Sequence, residues 1–309
     1  MKIKVGSRAS RLAIWQAEFV CQRINQHGIE TEIVPIETKG DKILNQSIYK
    51  IGSKGLFTQE LESKLLEGSI DIAVHSAKDV QSELHNELEI IAFTEREKPH
   101  DVLISFKTID VNKLENYLIG TSSTRRKAFL YHYYPNVRVV DARGNLQTRI
   151  QKLKSGNFDV LMLAYAGVCR LGYESMIVHH FSESLIVPPA GQGSLAIEAS
   201  KKLSNEIKIL VRKAVHHQDT EICLRAERSY LYRLSGGCSI PSFAYAHKKN
   251  DNLFEITAGI VSLDGLKMVK FHSAFEPNEA YEAGVGIAEK VLENGGAEIL
   301  FQIKRQIKN

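Results

Sequence analysis

Cysteine is scarce in this chain, and the cysteines that it has do not cluster. Cys21, Cys169, Cys223 and Cys238 are spread over 309 residues, and no two of them form a CxxC pair. Disulfide frameworks and structural zinc sites both need cysteines at short, paired spacings. The sequence therefore argues against both, and we expect a reduced protein of the cytoplasm.

Long apolar runs are also absent. No window approaches eighteen consecutive apolar residues, so no membrane-spanning helix is expected. The first residues, MKIKVGSRAS, lack the apolar core of a secretory signal peptide. The apolar content of 43% and the charged content of 25% are typical of a soluble globular protein.

A strong excess of either charge is missing as well. The formal net charge of +4 at pH 7 is too small to indicate a nucleic-acid-binding protein. Several arginines, however, lie beside glycine or serine at the ends of predicted loops. A guanidinium group at a loop end favours a small anionic ligand, because its planar fork matches a carboxylate or a phosphate.

Short apolar runs alternate with helical patterns in the first two thirds of the chain, which predicts α/β lobes with mainly parallel sheets. The charged stretch at 95–101 is interpreted as a hinge between two lobes. A strand predicted at 194–199 can return to the first sheet, which would make the first domain discontinuous. From about residue 243 the pattern changes to alternating strands and then helix, which indicates a small α+β domain. The predicted domains are residues 1–95 with 194–214, residues 100–190, and residues 217–309.

One buried strand ends in a cluster of polar residues. In the stretch DIAVHSAKDV the apolar run stops, and His75, Ser76, Lys78 and Asp79 follow within five positions. Ligands bind outside the carboxyl ends of the strands in open parallel sheets. We therefore expect these side chains to face a ligand in a cleft between the two lobes.

The segment GSRAS follows the first strand and opens a helix. Its small residues allow backbone N–H groups to approach an anion at the helix N-terminus, with Arg8 and Ser10 beside that anion. The alternative is an ordinary strand-to-helix turn that the serine caps.

The segment GTSSTRRKA repeats this pattern in the second lobe. Arg125 and Arg126 fall in the first turn of the predicted helix, where a cation opposes the helix dipole. We therefore expect a ligand to supply the negative charge, whereas the alternative is a solvated helix end. The hydroxyl side chains around this helix start are Thr121, Ser122 and Ser123.

Further basic residues follow predicted strands or lie in loops. Arg143, Arg149 and Arg170 are each compatible with an ordinary surface position, but together in one cleft they would suit a substrate with several carboxylates. The glycine-rich segment KIGSKGLF carries Lys50 and Lys54. It is predicted to be a lid, with a plain flexible loop as the alternative.

A loop cysteine is the candidate for covalent attachment. Cys238 follows two glycines in SGGCSIP, so we expect it to be reachable, although most lone cysteines are small inert hydrophobes.

The adjacent pairs at 179–180 and 216–217 are histidines whose side chains would diverge by about 100° on a helix. We therefore predict no metal site there.

The order of these stretches closely resembles the porphobilinogen deaminase family, also called the hydroxymethylbilane synthases. The similarity runs from residue 6 to residue 241, so it covers most of the chain. The matching pieces are GSRASRLAIWQA, ETKGD, KGLFTQELE, DIAVHSAKDV, GTSSTRRKA, ARGN, PPAGQG and GGCSIP.

This resemblance implies three domains, the first two arranged like a type II periplasmic binding protein. It also implies a transferase that condenses four porphobilinogen molecules head to tail, with release of ammonia, into hydroxymethylbilane. Asp79 is the implied catalytic carboxylate, and a dipyrromethane cofactor is implied at Cys238 through a thioether. A monomer without a nucleic-acid, membrane or obligate protein partner is expected. The implied cofactor and substrate contacts are Arg8, Ser10, Lys54, Ser76, Lys78, Thr121, Ser122, Ser123, Arg125, Arg126, Arg143, Asn145, Arg149, Arg170 and Gln192.

Three positions depart from the pattern of the family. Gln81 and Arg11 stand where prolines are common, and Ala142 stands where a bulkier apolar residue is frequent. None of the three removes a catalytic group. We expect them to affect loop rigidity and substrate affinity more than activity.

Two other functions would use a two-lobed cleft. A solute-binding protein is usually exported, whereas this sequence shows no signal peptide and adds a third domain that binding alone does not need. A ligand-sensing regulator would carry a DNA-binding module, and no helix-turn-helix pattern precedes the first strand. The family resemblance is therefore the preferred interpretation.

Overall fold

The computed structural model describes residues 2–38, 58–235 and 240–308. These residues form two compact units, and the chain enters the second unit after Glu97 and returns to the first after Ala190. A division of the second unit into the domains predicted at 100–190 and 217–309 stays a prediction. The first unit holds residues 2–38, 58–97 and 191–222, and the second holds 98–190, 223–235 and 240–308.

The strands of the described residues form three sheets, one in the first unit and two in the second. Their bounds are β1 Lys2–Arg8, β2 Glu30–Ile36, β3 Ile72–Ser76, β4 Leu88–Phe93, β5 Asp101–Ile104, β6 Leu118–Gly120, β7 Arg138–Val140, β8 Val160–Ala164, β9 Ile177–His180, β10 Leu195–Ser200, β11 Ser242–Asn250, β12 Leu253–Val261 and β13 Met268–Phe275.

Helices of varied length connect these strands. Across the described ranges, none of them has the length and apolar character needed to cross a membrane. Their bounds are α1 Arg11–Asn25, α2 Gln59–Leu66, α3 Thr124–Tyr133, α4 Leu146–Lys154, α5 Tyr165–Arg170, α6 Asn205–Val215, α7 Gln218–Leu234, α8 Ala280–Val291 and α9 Ala297–Lys308.

The first unit contains a five-stranded sheet in the order β2-β1-β3-β10-β4. The pairs of β1 with β2 and with β3 are parallel. β10, the strand predicted at 194–199, inserts between β3 and β4 and runs antiparallel to both. Its insertion means that the middle of this sheet is built from chain segments more than a hundred residues apart.

The five-stranded sheet of the second unit has the order β7-β6-β8-β5-β9. Here β6 pairs in parallel with β7 and β8, and β5 is the inserted antiparallel strand. Both sheets therefore share one arrangement. The expected α/β class with mixed, mainly parallel sheets is confirmed for both of them, and strands and helices also form an α+β arrangement at the C-terminal end.

Helix α1 covers one face of the first sheet because its apolar residues recur at helical spacing. Ala17, Val20 and Ile24 are fully buried and belong to the same core cluster as Ile3 and Ile72 of the strands. Burying a large aliphatic side chain contributes about 1.5–3 kcal/mol. This core gives the end of β3 a rigid base.

The third sheet, in the order β11-β12-β13, is antiparallel and packs with helices of the C-terminal part. Two buried polar contacts join α7 to this sheet. The Tyr230 hydroxyl donates a 2.7 Å hydrogen bond to the Gly259 carbonyl, and Glu227 Oε1 accepts a 2.8 Å hydrogen bond from the Ala246 N–H. Both α7 side chains are fully buried, so these bonds satisfy groups that water cannot reach.

Candidate active site

The polar cluster predicted at the end of β3 lies in a short 3₁₀ turn, Ala77–Asp79, which we call the Asp79 turn. Asp79 is half-buried, and Ala77 and Val80 on either side of Lys78 and Asp79 are buried. Helix α1 holds the residue before the turn, because Gln16 Nε2 donates a 2.9 Å hydrogen bond to Ser76 Oγ. The carboxylate is therefore presented at the carboxyl edge of the sheet, where ligands bind in such folds.

The residues that precede β10 hold the Asp79 turn from its other side. The Ala77 N–H donates a 3.0 Å hydrogen bond to the Ser194 carbonyl, and Lys78 Nζ donates a 3.3 Å hydrogen bond to Gln192 Oε1. Gln192 is only 1% exposed. The structure thus brings together two predicted site residues, Lys78 and Gln192, that are 114 positions apart.

The GSRAS segment lies at the same edge of the sheet. Arg8 is the last residue of β1, which runs parallel to β3, so the two strands end on the same side. Ser10 is the N-cap of α1, and its Oγ accepts a 3.4 Å hydrogen bond from the Ala13 N–H. The serine thus has the capping role given above as the alternative, and its contact with a ligand stays a prediction.

A buried acid–base contact on β3 and β10 was not predicted from the sequence. His75 Nε2 lies 3.1 Å from Glu198 Oε2, and the two side chains are 3% and 1% exposed. The strand register pairs His75 of β3 with Ala196 of β10. Glu198 lies two residues after Ala196 and therefore on the same face of the sheet as His75. Within the described residues, His75 Nε2 and both carboxylate oxygens lack a well-directed hydrogen bond. Each buried polar group therefore lies beside the other, and removing either side chain would leave its partner against apolar surroundings.

The hydroxyl cluster of the second unit follows β6. Buried Thr121 accepts a 3.3 Å hydrogen bond at Oγ1 from the Ser123 N–H, and Ser123 Oγ caps α3 by accepting a 3.4 Å bond from the Arg126 N–H. Ser122 Oγ is buried, and nothing in the described part of the chain hydrogen-bonds to it. Thr121 and Ser123 therefore build the helix start, while the Ser122 hydroxyl is available to a ligand.

The two arginines of α3 share one aspartate. Asp101 is fully buried at the first position of β5 and lies 2.5 Å from Arg125 Nη2 and 2.9 Å from Arg126 Nη2. The guanidinium groups also donate to the carbonyls of Val187 at 2.8 Å and Met162 at 3.2 Å. The negative charge that we expected from a ligand is thus supplied in part by Asp101. Two cations and one anion give these three side chains a formal charge of +1.

These arginines control the ionisation of Asp101. Burial alone raises the pKa of this carboxyl group, but attraction and hydrogen bonds from Arg125 and Arg126 outweigh that effect and hold its pKa well below the usual range. Burial lowers the pKa of Arg125, and Asp101 opposes this change. The three groups therefore stabilise one another in their charged forms.

The ARGN segment follows β7 at the same edge. Arg143 contacts Asp141, which also accepts a 2.6 Å hydrogen bond from Lys127. Asn145 Oδ1 caps α4 by accepting a 2.9 Å bond from the Thr148 N–H. Arg149 donates from Nε to the Gly144 carbonyl at 2.7 Å. The Asn145 and Arg149 contacts lie within the start of α4, whereas Lys127 reaches Asp141 from α3. The roles of Arg143, Asn145 and Arg149 toward a ligand stay predictions.

Of the remaining predicted site residues, one lies at the end of a short helix and two lie outside the described residues. Arg170 ends α5, the helix that follows β8, and therefore belongs to the same edge of the second unit as the ARGN segment. Lys54, with the predicted lid at 50–57, lies outside the described residues. Cys238, the predicted attachment point, also lies outside them.

The three residues that depart from the family pattern lie in different surroundings. Gln81 follows the Asp79 turn and donates weak hydrogen bonds from Nε2 to Thr58 at 3.5 Å and to Glu62 at 3.4 Å. These bonds tie the chain after the turn to the start of α2. Ala142 is fully buried, and Arg11 is an exposed first residue of α1.

Sequence profiles of known families match both parts of the chain. The profile described as porphobilinogen deaminase, dipyromethane cofactor binding domain, matches residues 3–208. A second profile, the C-terminal domain of porphobilinogen deaminase, matches residues 221–293. This chain belongs to the porphobilinogen deaminase family. The family resemblance inferred from the ordered motifs is therefore confirmed.

Curated relatives match over the full length. The porphobilinogen deaminase of Desulfosudis oleivorans is 50% identical over 308 residues, which cover 99% of each chain. That of Cytophaga hutchinsonii is 49% identical over 304 residues, which cover 98% of this chain and 97% of the relative.

Solved structures outside the family show weaker similarity. A periplasmic substrate-binding protein of an ABC transporter from Coxiella burnetii has a TM-score of 0.44 at 13% identity, covering 70% of this chain and 92% of that one. The periplasmic VFT2 domain of BvgS from Bordetella pertussis has a TM-score of 0.42 at 16% identity, covering 69% and 86%.

Replacing Asp101 by asparagine should destabilise the protein by about 3–5 kcal/mol at pH 7, because two buried guanidinium groups lose their counter-charge. The folded-state pKa of Asp101 is depressed, so its stabilisation is complete above the unfolded value near 4 and is lost as the pH falls toward the folded value. The difference between wild type and Asp101→Asn in urea unfolding should therefore be constant from pH 7 to pH 5 and shrink below about pH 4.

Asp251→Asn is the control for this experiment, since the Asp251 side chain is 99% exposed. It should change the unfolding free energy by less than about 0.5 kcal/mol. Equal losses in the Asp101 and Asp251 variants would contradict the assignment of Asp101 as the shared counter-ion.

The buried contact of His75 with Glu198 predicts strongly non-additive stability. Either His75→Leu or Glu198→Leu should cost about 3–5 kcal/mol, because one charged or polar group stays buried without its partner. The double variant should lose much less than the sum. Urea midpoints of the four proteins measure this coupling, and additive losses would show that the two side chains do not support each other.

Proposed function

We propose that this chain is a hydroxymethylbilane synthase that condenses four porphobilinogen molecules head to tail and releases ammonia at each condensation. Its family membership and its full-length similarity to relatives named porphobilinogen deaminase support the proposal. One structural observation carries it. The Asp79 turn stands at the carboxyl edge of a mainly parallel sheet and is held on one side by Gln16 and on the other by Gln192.

The chemistry explains why such an edge is needed. Porphobilinogen carries an acetate arm, a propionate arm and an aminomethyl group on a pyrrole ring. The carbon–nitrogen bond of the protonated aminomethyl group breaks, ammonia leaves with the electron pair, and a methylene-pyrrolenine cation remains. The free α-carbon of another pyrrole attacks this methylene, a carbon–carbon bond forms, and the α-proton is lost. The site must therefore stabilise a cation and move protons.

Asp79 is the proposed catalytic group. A carboxylate about 4 Å from the developing cation contributes ~4 kcal/mol at an effective dielectric constant near 20. That energy corresponds to roughly a thousandfold in rate. Lys78 is proposed to bind a substrate carboxylate or to orient the turn, and its hydrogen bond to Gln192 supports the second role.

A dipyrromethane group, joined to Cys238 by a thioether, supplies when bound the pyrrole α-carbon onto which the chain grows. The residues of the second unit fit such a group. Ser122 Oγ is buried and, within the described residues, has no protein partner. The cluster of Arg125, Arg126 and Asp101 carries a formal charge of +1. An acidic pyrrole chain satisfies both the hydroxyl and the excess positive charge.

The remaining basic residues are proposed to neutralise the growing chain. Each condensation adds two carboxylates, so a cleft without a basic lining would repel its own intermediates. Each charge-assisted hydrogen bond contributes about 1.5–3 kcal/mol. The proposed contacts, besides those already named in this section, are Arg8, Ser10, Lys54, Ser76, Thr121, Ser123, Arg143, Asn145, Arg149 and Arg170.

The proposal includes a setting for the enzyme. The scattered cysteines support a reduced, cytoplasmic protein. We propose that it works as a monomer on a small-molecule substrate, without a nucleic-acid, membrane or obligate protein partner.

Asp79→Asn should fold normally and lower turnover by roughly a thousandfold, because the amide keeps the shape of the side chain but cannot neutralise a cation. Turnover is measured with purified, cofactor-loaded protein as uroporphyrin absorbance after acid and oxidation. Glu83→Gln is the matched control, since Glu83 is an exposed carboxylate in the loop that follows. Wild-type turnover in the Asp79 variant would refute the role of Asp79.

The intact mass of the purified protein should exceed the mass of the sequence by two pyrrole units. Cys238→Ala should eliminate this excess, because the thioether needs the thiol, whereas Cys169→Ala should retain it. An adduct that persists in the Cys238 variant would place the attachment at another residue.

A further inference from the structure

The chain returns from the second unit to the first at Gly191, and this glycine touches the backbone of the Asp79 turn. A Cβ atom at Gly191 would lie 2.7 Å from the carbonyl carbon of Ala77 and 2.7 Å from the amide nitrogen of Lys78. Non-bonded carbon atoms pack at about 3.5–4.0 Å, so a side chain does not fit there. The opposing atoms belong to the main chain of the turn and cannot rotate aside.

The segment on the other side of this contact is held in place. Residues 191–194, which we call the return segment, bind the turn through the Ser194 carbonyl, which accepts a 3.0 Å hydrogen bond from the Ala77 N–H. On the side away from the turn, the segment is bound to the end of β4, because Ser194 Oγ donates a 2.9 Å hydrogen bond to the Thr94 carbonyl. It therefore cannot retreat from the turn without breaking buried hydrogen bonds.

We propose that Gly191 is a positioning residue for the reaction: its lack of a side chain lets the return segment lie against the turn and sets the place of the Asp79 carboxylate. This inference rests on the catalytic role proposed above for Asp79. Gly191 acts through the main chain of Ala77 and Lys78, which immediately precede that carboxylate. A shift of the return segment must displace the carboxylate with it.

Gly28 offers a matched control in the same unit. Its φ of 77° is nearly equal to the φ of 76° at Gly191, so alanine meets the same backbone strain at both positions. A Cβ atom at Gly28, however, meets no atom within 4 Å. The difference between the two alanine variants therefore isolates the contact with the turn from the effect of backbone conformation.

The experiment compares Gly191→Ala and Gly28→Ala in full-length, cofactor-loaded enzyme. Gly191→Ala should lower kcat about 100-fold, since a shift of about 1 Å in a reacting group has an effect of that size. Its KM for porphobilinogen should stay within about threefold, because the arginines proposed to bind the substrate carboxylates lie outside the turn and the return segment. Gly28→Ala should keep kcat within about threefold of the wild type.

The same substitutions in the Asp79→Asn background separate positioning from general damage. There Gly191→Ala should lower kcat by less than about threefold more, because no carboxylate is left to displace. A purely structural fault would lower kcat about 100-fold in both backgrounds. That result, or a Gly191→Ala enzyme as fast as Gly28→Ala, overturns the inference. Wild-type kcat in Asp79→Asn alone would instead overturn the proposed catalytic role.

Hydrogen exchange of the wild type decides the question if Gly191→Ala does not accumulate as folded protein. The Ala77 amide is bonded to Ser194, and the Thr94 amide is bonded to Leu195. If the turn and the return segment move as one rigid body, the protection factors of the two amides should agree within about threefold. Exchange of Ala77 more than about tenfold faster than Thr94 would show that the turn moves independently, and would overturn the inference.

Discussion

The insertion of β10 between β3 and β4 is the constraint on which the candidate active site depends. Because β10 runs antiparallel to β3, its beginning lies at the carboxyl end of β3, and Leu195 pairs with Ser76. The residues that lead into β10 are therefore placed against the Asp79 turn. A parallel strand in the same position would bring its end to this edge, and the hydrogen bond between Ala77 and Ser194 would not form.

The second unit uses the same geometry for a different purpose. Its inserted strand, β5, is also antiparallel, and its first residue, Asp101, pairs with Ala164 at the carboxyl end of β8. That position brings a buried carboxylate to the two arginines at the start of α3. In each unit, the beginning of an inserted strand thus holds the groups that the sequence places at strand ends. In the first unit it holds a carboxylate, and in the second it holds two cations.

Local signals in the sequence were sufficient for the caps and most strands. Ser10 and Ser123 cap helices as their positions indicate, because a cap depends on the next three residues alone. The partnership of His75 with Glu198 spans 123 positions and depends on strand register, so no local pattern reveals it. β9 has only four residues, two of them histidines, so its sequence carries little apolar alternation. Eight ordered motifs nevertheless identified the family.

The proposed chemistry explains why the basic edge is only partly compensated within the protein. A lining of uncompensated guanidinium groups would bind the polyacidic product as strongly as the intermediates, and tight product binding slows turnover. Asp101 neutralises half of the charge of its two arginines, and Asp141 contacts both Arg143 and Lys127. Burial raises the pKa of Asp141, but these cations outweigh that effect and keep its pKa low, so it remains charged. Partial compensation therefore leaves a net positive charge that attracts the carboxylates of a growing chain, but fewer unpaired cations than the same basic residues would present alone.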